Sequence, residues 1–416
     1  KQKTAYEIGV RLVGSEMCIR DRLYAADLLG AALGCLAAVA LLDATNLSAA
    51  AFAATAVAAL GALAFRRAAG LSLGLAVPVT LVLALVAMAG NVRGEAVRVM
   101  YPKNRLAWNK PVLRSLWNSH AHILAFLPEV GPAFYWGGGD GATQFTNNQA
   151  FVVVDGEAGT PMTEWDGNPA SLDWVSYDVT ALPYQLRKAG RVGIVGVGGG
   201  RDILAAIWSR SPSITAVEIN SNVVALLTEH SRRFTKIADH PGVTLVHDEG
   251  RAYLTRSREH FDVLQMSLVD TWAATGAGAF TLSENGLYTR EAWKIFLDRL
   301  TPTGIISVSR WFSQGQASET SRLIALAVGA LIESWRRSWV SASPHGARLV
   351  QSRDESALAW MWGRQRHGRR GGVDCRGDDL DDARHRCEPV GGRSVSRGAA
   401  CLLYTSPSPR DGLLSR

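Results

Sequence analysis

From residue 191 to residue 334 the chain alternates short apolar runs with helical patterns, and few folds can absorb that alternation. In order the segments are RVGIVGVGGGRDILAAIW (191–208), SITAVEIN (213–220), VVALLTEHSRRF (223–234), VTLVHDEGRAYL (243–254), FDVLQMSLVD (261–270), TREAWKIFLDRL (289–300) and GIISVSRW (304–311). Apolar runs bounded by Gly, Pro and Asp and separated by helical patterns predict a doubly wound, mostly parallel, Rossmann-like α/β sheet. Strands buried on both faces read as continuous apolar runs, as these do.

The first strand-to-helix turn carries the chemical signature. In IVGVGGGRD the strand ends at Gly196, Gly198 to Gly200 let the backbone pass close to a ligand, and Asp202 opens a helix whose N-terminal amides face it. Glu218 ends the second strand, where an acid can accept two hydrogen bonds from a ribose diol. Asp248 and Glu249 form an acidic pair after the third strand, placed to meet the exocyclic amine of adenine. Gly196, Gly198, Gly200, Asp202, Glu218, Asp248 and Glu249 are therefore the candidate nucleoside-binding residues. A dinucleotide enzyme needs a second half-fold, for which residues 191–334 leave no room.

Ahead of this domain lie three apolar runs, 23–42, 46–65 and 71–90, charged only at Asp27. Each has about the 20 residues that cross a hydrocarbon core. A mean hydropathy of +0.04 and a charged fraction of 19%, below the usual quarter, agree with a membrane part. Arg66 and Arg67 mark one side of the spans, while Arg93, Arg98, Lys103, Arg105, Lys110 and Arg114 mark the other, a count that predicts a multi-pass inner-membrane protein with its large domain in the cytoplasm. Residues 92–186 read as a linker with a small β-element. Within them WGGGDGA (136–142) reads as a surface turn, AFVVVDG (150–156) as a strand, and DWVSYDVTALPYQL (173–186) as an amphipathic helix.

The formal charge of +7 does not signal nucleic-acid binding. Residues 1–22 carry a net +2 and residues 335–416 a net +6, leaving −1 for everything between. LVGSEMCIRDR (12–22) and CLLYTSPSPRD (401–411) can be encoded by one DNA element read on opposite strands, which resembles a transposon-derived sequencing adaptor. Residues 1–22 and 401–416 are thus expected to be processing scars around an internal fragment. The Arg-rich stretch 335–400 reads as a frameshifted or disordered tail. A metal site from His367, Cys375, His385 and Cys387 is the weakest alternative, because the spacing fits no common zinc pattern. No disulfide framework follows from the five cysteines.

Asp155-Gly156, SYD (176–178), GVGGGRD, AVEIN, VHDEGRAYL, the FDV…D strand and LYTREAW (287–293) together resemble spermidine synthases, in particular bacterial membrane proteins with helices fused to a spermidine-synthase-like domain. The resemblance implies a methyltransferase-type fold after a small β-element. It also implies decarboxylated S-adenosylmethionine as cosubstrate, with no prosthetic group or metal, and transfer of its aminopropyl group to a polyamine such as putrescine. The implied residues handling the amine are Asp270, Tyr177 and Asp178. Expected partners are the polyamine, membrane lipid and a second copy of the chain. The chain departs from the family at Ser267, where the resemblance implies the first acid of a pair ending in Asp270; at Gly199, where the glycine loop has an acid; and at Asp178, which replaces a Gln. An S-adenosylmethionine-dependent methyltransferase and a non-catalytic nucleoside- or polyamine-binding membrane sensor or transporter module remain alternatives.

Overall fold

The computed structural model describes residues 5–72, 74–94, 96–102, 106, 110–156, 158–187, 190–269, 284–312, 321–334 and 400–407. Three helices open the chain: α1 (Ala5–Ala44), α2 (Leu47–Ala68) and α3 (Ala76–Gly94). Their segments Asp21–Ala44, Leu47–Ala68 and Ala76–Gly94 are long and apolar enough to cross a membrane. The third starts later than the sequence suggests, because Gly70 takes a left-handed φ of 67° and Arg66 holds the carbonyl of Ser72, Nε to O 3.0 Å, in the intervening turn. Asn46 caps α2 by accepting from the Ala49 amide at 2.9 Å and donates to the Asn91 carbonyl of α3 at 3.1 Å. Buried amides in an apolar setting need such partners.

Five strands follow: β1 (Val112–Trp117), β2 (His122–Phe126), β3 (Glu129–Pro132), β4 (Thr146–Val154) and β5 (Ala158–Thr163). They form an antiparallel sheet in the order β1-β2-β4-β3, with β5 also on β4. The stretch 173–186 is not one amphipathic helix. It forms two 3-10 segments, Pro169–Tyr177 and Val179–Ala181, before α4 (Leu182–Leu186). Asp178 breaks the run: its backbone is extended, and its side chain caps the next turn by accepting from Thr180.

The remainder comprises β6 (Arg191–Val195), α5 (Arg201–Trp208), β7 (Ser213–Glu218), α6 (Ser221–Ala225), α7 (Arg232–Thr235), β8 (Val243–His247), α8 (Gly250–Arg256), β9 (Phe261–Ser267), α9 (Glu284–Leu287), α10 (Arg290–Asp298), β10 (Leu300–Phe312) and β11 (Ala400–Pro407). The second sheet has the order β11-β10-β9-β6-β7-β8, and all its pairings are parallel. The whole is therefore mixed α/β, with one antiparallel sheet and one parallel one. Ile194 and Val263 pack on one face with Leu204 of α5 and with Trp174 and Met162. On the other face Leu264 and Met266 pack with Trp293 and Phe296 of α10. The free edge of β10 takes up residues 400–407, all but the first of them in the stretch expected to be a scar, with Ile305 opposite Ala400. An unpaired strand edge is a ready template for any extended segment. Residues 335–399, including the four residues of the metal alternative, lie outside the described residues.

Candidate functional site

Three loop regions and a cluster of buried side chains on α5 and β9 meet at the carboxyl edge of the parallel sheet around β6. The first is the glycine turn. Gly196, Gly198 and Gly200 have φ of 81°, 51° and 88°, a region side chains rarely enter. Gly199 is required for a different reason: a Cβ there would lie 2.0 Å from the Pro161 carbonyl oxygen of β5. The turn is thus wedged against the antiparallel sheet, and the Gly199 amide donates to Thr160 Oγ1 at 3.2 Å. A side chain at 199 would therefore need the backbone to move.

Glu218, at the end of β7, is 8% exposed. Its Oε2 accepts from the Val197 amide at 2.8 Å and the Gly198 amide at 3.4 Å, and Oε1 accepts from Asn220 at 3.0 Å. One carboxylate therefore ties the end of the second strand to the glycine turn. A carboxylate has about four acceptor sites, so these three contacts leave room on Oε1 for about one hydroxyl donor, and a second would have to displace the long Gly198 contact. Asp248 pairs with Arg256 of α8 and accepts from the Glu249 amide at 2.8 Å. Glu249 caps α8, accepting from Arg251 at 2.9 Å and Ala252 at 2.7 Å. In this arrangement both acids already serve the strand-to-helix turn.

The third loop joins Tyr177 and Asp178 to WGGGDGA, a surface turn as expected, exposed at 138–141 and tied down by hydrogen bonds on its inner side. The Gly139 amide donates to the Tyr177 carbonyl at 2.8 Å and the Val179 amide to Gly137 at 2.9 Å, while Trp136 donates its amide to Asp178 Oδ2 at 2.9 Å. The half-buried Tyr177 ring lies 5.1 Å from that of Phe145. Asp178 is 2% exposed and forms a buried ion pair with Arg201. Arg201 also donates to the Phe134 carbonyl, and its guanidinium lies 5.3 Å from the Tyr135 ring centre and 5.0 Å from that of Trp174. Sequence reasoning does not single out Arg201, whose pairing with Asp178 brings together residues 23 positions apart.

The fourth component lies under the turn between α5 and β9. Asp202 is 5% exposed, and its carboxyl faces the Ser267 side chain within hydrogen-bonding reach. Burial pushes it up to about 7; the Asp178 charge adds to this, while Ser267 and Arg201 oppose it. Asp202 thus turns its carboxyl toward β9, and only its backbone belongs to the part of α5 expected to face a ligand. Gln265, absent from the sequence-based site, is fully buried. It donates to Ser267 Oγ at 3.0 Å and the Thr180 carbonyl at 2.9 Å, and accepts from Tyr184 Oη at 2.5 Å. A glutamine inside an otherwise apolar strand is the signal that could reveal it. Asp270 and the segment 271–280 lie outside the described residues. Among the described residues no group of three His, Cys, Asp or Glu side chains could hold a metal ion.

No family model matches the chain. Polyamine aminopropyltransferase 2 of Pseudomonas aeruginosa is 31% identical over 119 residues, 28% of this chain and 32% of the relative. The chain thus spans about a third of the length of this curated relative. Two solved structures, a spermidine synthase in complex with the transition-state analogue AdoDATO and the spermidine synthase from Thermotoga maritima, are each 14% identical, with TM-scores of 0.35 and 0.36. Each match covers 57% of this chain and 74% of the other. That structural likeness is too distant to bear on chemistry. By its sequence similarity to the Pseudomonas aminopropyltransferase, the chain is spermidine synthase-like over the aligned stretch.

Proposed function

We propose that the chain is a membrane-fused aminopropyltransferase that binds decarboxylated S-adenosylmethionine and passes its aminopropyl group to a polyamine such as putrescine. The observation that carries the reading is Glu218, whose carboxylate joins the end of β7 to the amides of the glycine turn. A ribose diol donating to the same carboxylate would sit between the two, with the sulfonium directed toward the end of β9 in a methyltransferase-type pocket. The similarity to the Pseudomonas relative supports the choice of reaction.

The reaction is a displacement at a carbon activated by a sulfonium. It demands little of a leaving-group acid and much of alignment and amine deprotonation. In this proposal Gly196, Gly198, Gly200 and the first turn of α5 pass under the nucleoside, and Asp248 and Glu249 border the adenine. Tyr177 forms the acceptor rim, and Asp270 binds the amine. Asp178, held by Arg201, fixes the wall behind Tyr177. The domain would face the cytoplasm, where the nucleoside is made, and a second copy of the chain is a candidate partner.

Calorimetry on the full chain in detergent tests the reading with both forms of the nucleoside. A preference for the decarboxylated form, lost in Glu218→Ala, is the expected result. Preference for the carboxylated form would move the chain to the methyltransferase alternative. Normal binding by Glu218→Ala would overturn the site.

A further inference from the structure

Asp202 is a buried carboxylate outside the Arg201–Asp178 pair, and the proposed function gives its side chain no role. It stands in the first turn of α5, and the side chain it meets on the facing strand is Ser267. Ser267 is half-buried at the end of β9, on the sheet edge where the acceptor is expected. The hydrogen bonds around it have a direction. Gln265 donates to Ser267 Oγ at 3.0 Å, and the orientation of its amide is set by the Tyr184 hydroxyl at 2.5 Å and the Thr180 carbonyl at 2.9 Å. With that lone pair occupied, the Ser267 proton is directed to an acceptor, and Asp202 supplies one.

We infer that Asp202 is a positioning residue that receives, through Ser267, the proton an ammonium acceptor must lose before transfer. This rests on the aminopropyltransferase reading. The ammonium N–H passes its proton to Ser267 Oγ as the Ser267 proton moves to the Asp202 carboxylate. The freed nitrogen lone pair then forms the new C–N bond, the C–S bond breaks with its electron pair going to sulfur, and the sulfonium becomes a neutral thioether. Asp202 later returns its proton to solvent.

The charged groups facing Asp202 are Arg201 on its own helix and Asp178 from the segment ahead of α4. Beyond them Ser267, Gln265 and Tyr184 complete a polar cluster inside an apolar core. An affinity of about 7 suits a group that must take up and release a proton near neutrality.

The test uses the full chain in detergent. Infrared difference spectra with labelled aspartate are expected to show a protonated carboxyl band that is absent in Asp202→Asn and shifts when putrescine is added with the decarboxylated nucleoside. A band indifferent to putrescine would overturn the inference. In turnover, Asp202→Asn should lower kcat about 100-fold and abolish the pH limb near neutrality, with KM for putrescine changed much less. Adding Ser267→Asp to that variant should restore the rate. An unchanged pH limb in Asp202→Asn also overturns the inference. If putrescine moves the band but no aminopropyl transfer occurs, the transfer reading falls while Asp202 keeps its proton role.

Discussion

Arg201 and Asp178 form an ion pair whose side chains are 4% and 0% exposed, and each is held by further contacts. The carboxylate also accepts two backbone amides, from Trp136 and Thr180, both at 2.9 Å. Breaking such a pair by removing one partner leaves a buried uncompensated charge, at about 3–5 kcal/mol. Arg201→Met should lower stability by that amount, read as a shift of the thermal midpoint. Arg201→Met with Asp178→Leu should recover part of the loss. A single variant as stable as the wild type would show that the pair is open to water.

The close approach of Gly199 to Pro161 leads to a second expectation. Restoring an acid at this position, Gly199→Asp, should not improve nucleoside binding. Its Cβ would meet the Pro161 carbonyl oxygen at 2.0 Å, so backbone must move, at roughly 1–3 kcal/mol or more. The variant should unfold at lower denaturant and bind the nucleoside at least tenfold more weakly. Equal or tighter binding would show that the glycine turn can withdraw from β5.

The elements between 191 and 312 are legible in the sequence because their signals are local: apolar runs for strands buried on both faces, glycines for the turn, and Glu218 at a strand end. The partners of Asp178 and Asp202 are not local. Arg201 and Asp178 lie 23 positions apart, and Ser267 reaches Asp202 because β9 pairs with β6. Spacing along the chain does not encode that strand order. Residues 173–186 mislead for a related reason: helical periodicity is present, but the Asp178 side chain competes for the backbone amide of Thr180 and divides the run.

The raised proton affinity of Asp202 also sets a stability limb. Burial is the main cause, and the carboxyl moves from 3.8 to about 7. Below pH 4 it is protonated in folded and unfolded chains alike and costs nothing. As pH rises from 4 to 7 the unfolded chain releases the proton and the folded one retains it, so stability falls, by roughly 4 kcal/mol at most. Asp202→Asn should therefore match the wild type near pH 4 and exceed it at pH 8. The check is the difference between the two thermal midpoints across that range. A difference that does not vary with pH would mean the carboxyl is ionised without penalty.

His122 produces the opposite limb. Burial holds its imidazole at about 4, below its ordinary 6.5. The ring stacks on Trp117 at 3.8 Å, and Nε2 lies 3.0 Å from Ser115 Oγ. Above 6.5 the imidazole is neutral in both states and its burial carries no protonation cost. As pH falls from 6.5 to 4 the unfolded chain takes up a proton that the folded chain refuses, so stability falls by about 3 kcal/mol. His122→Phe keeps a ring against Trp117 and removes the titration. It should lose the Ser115 contact at every pH, yet decline less than the wild type between pH 6.5 and 4. Parallel declines for the two proteins would assign the acid limb to other groups.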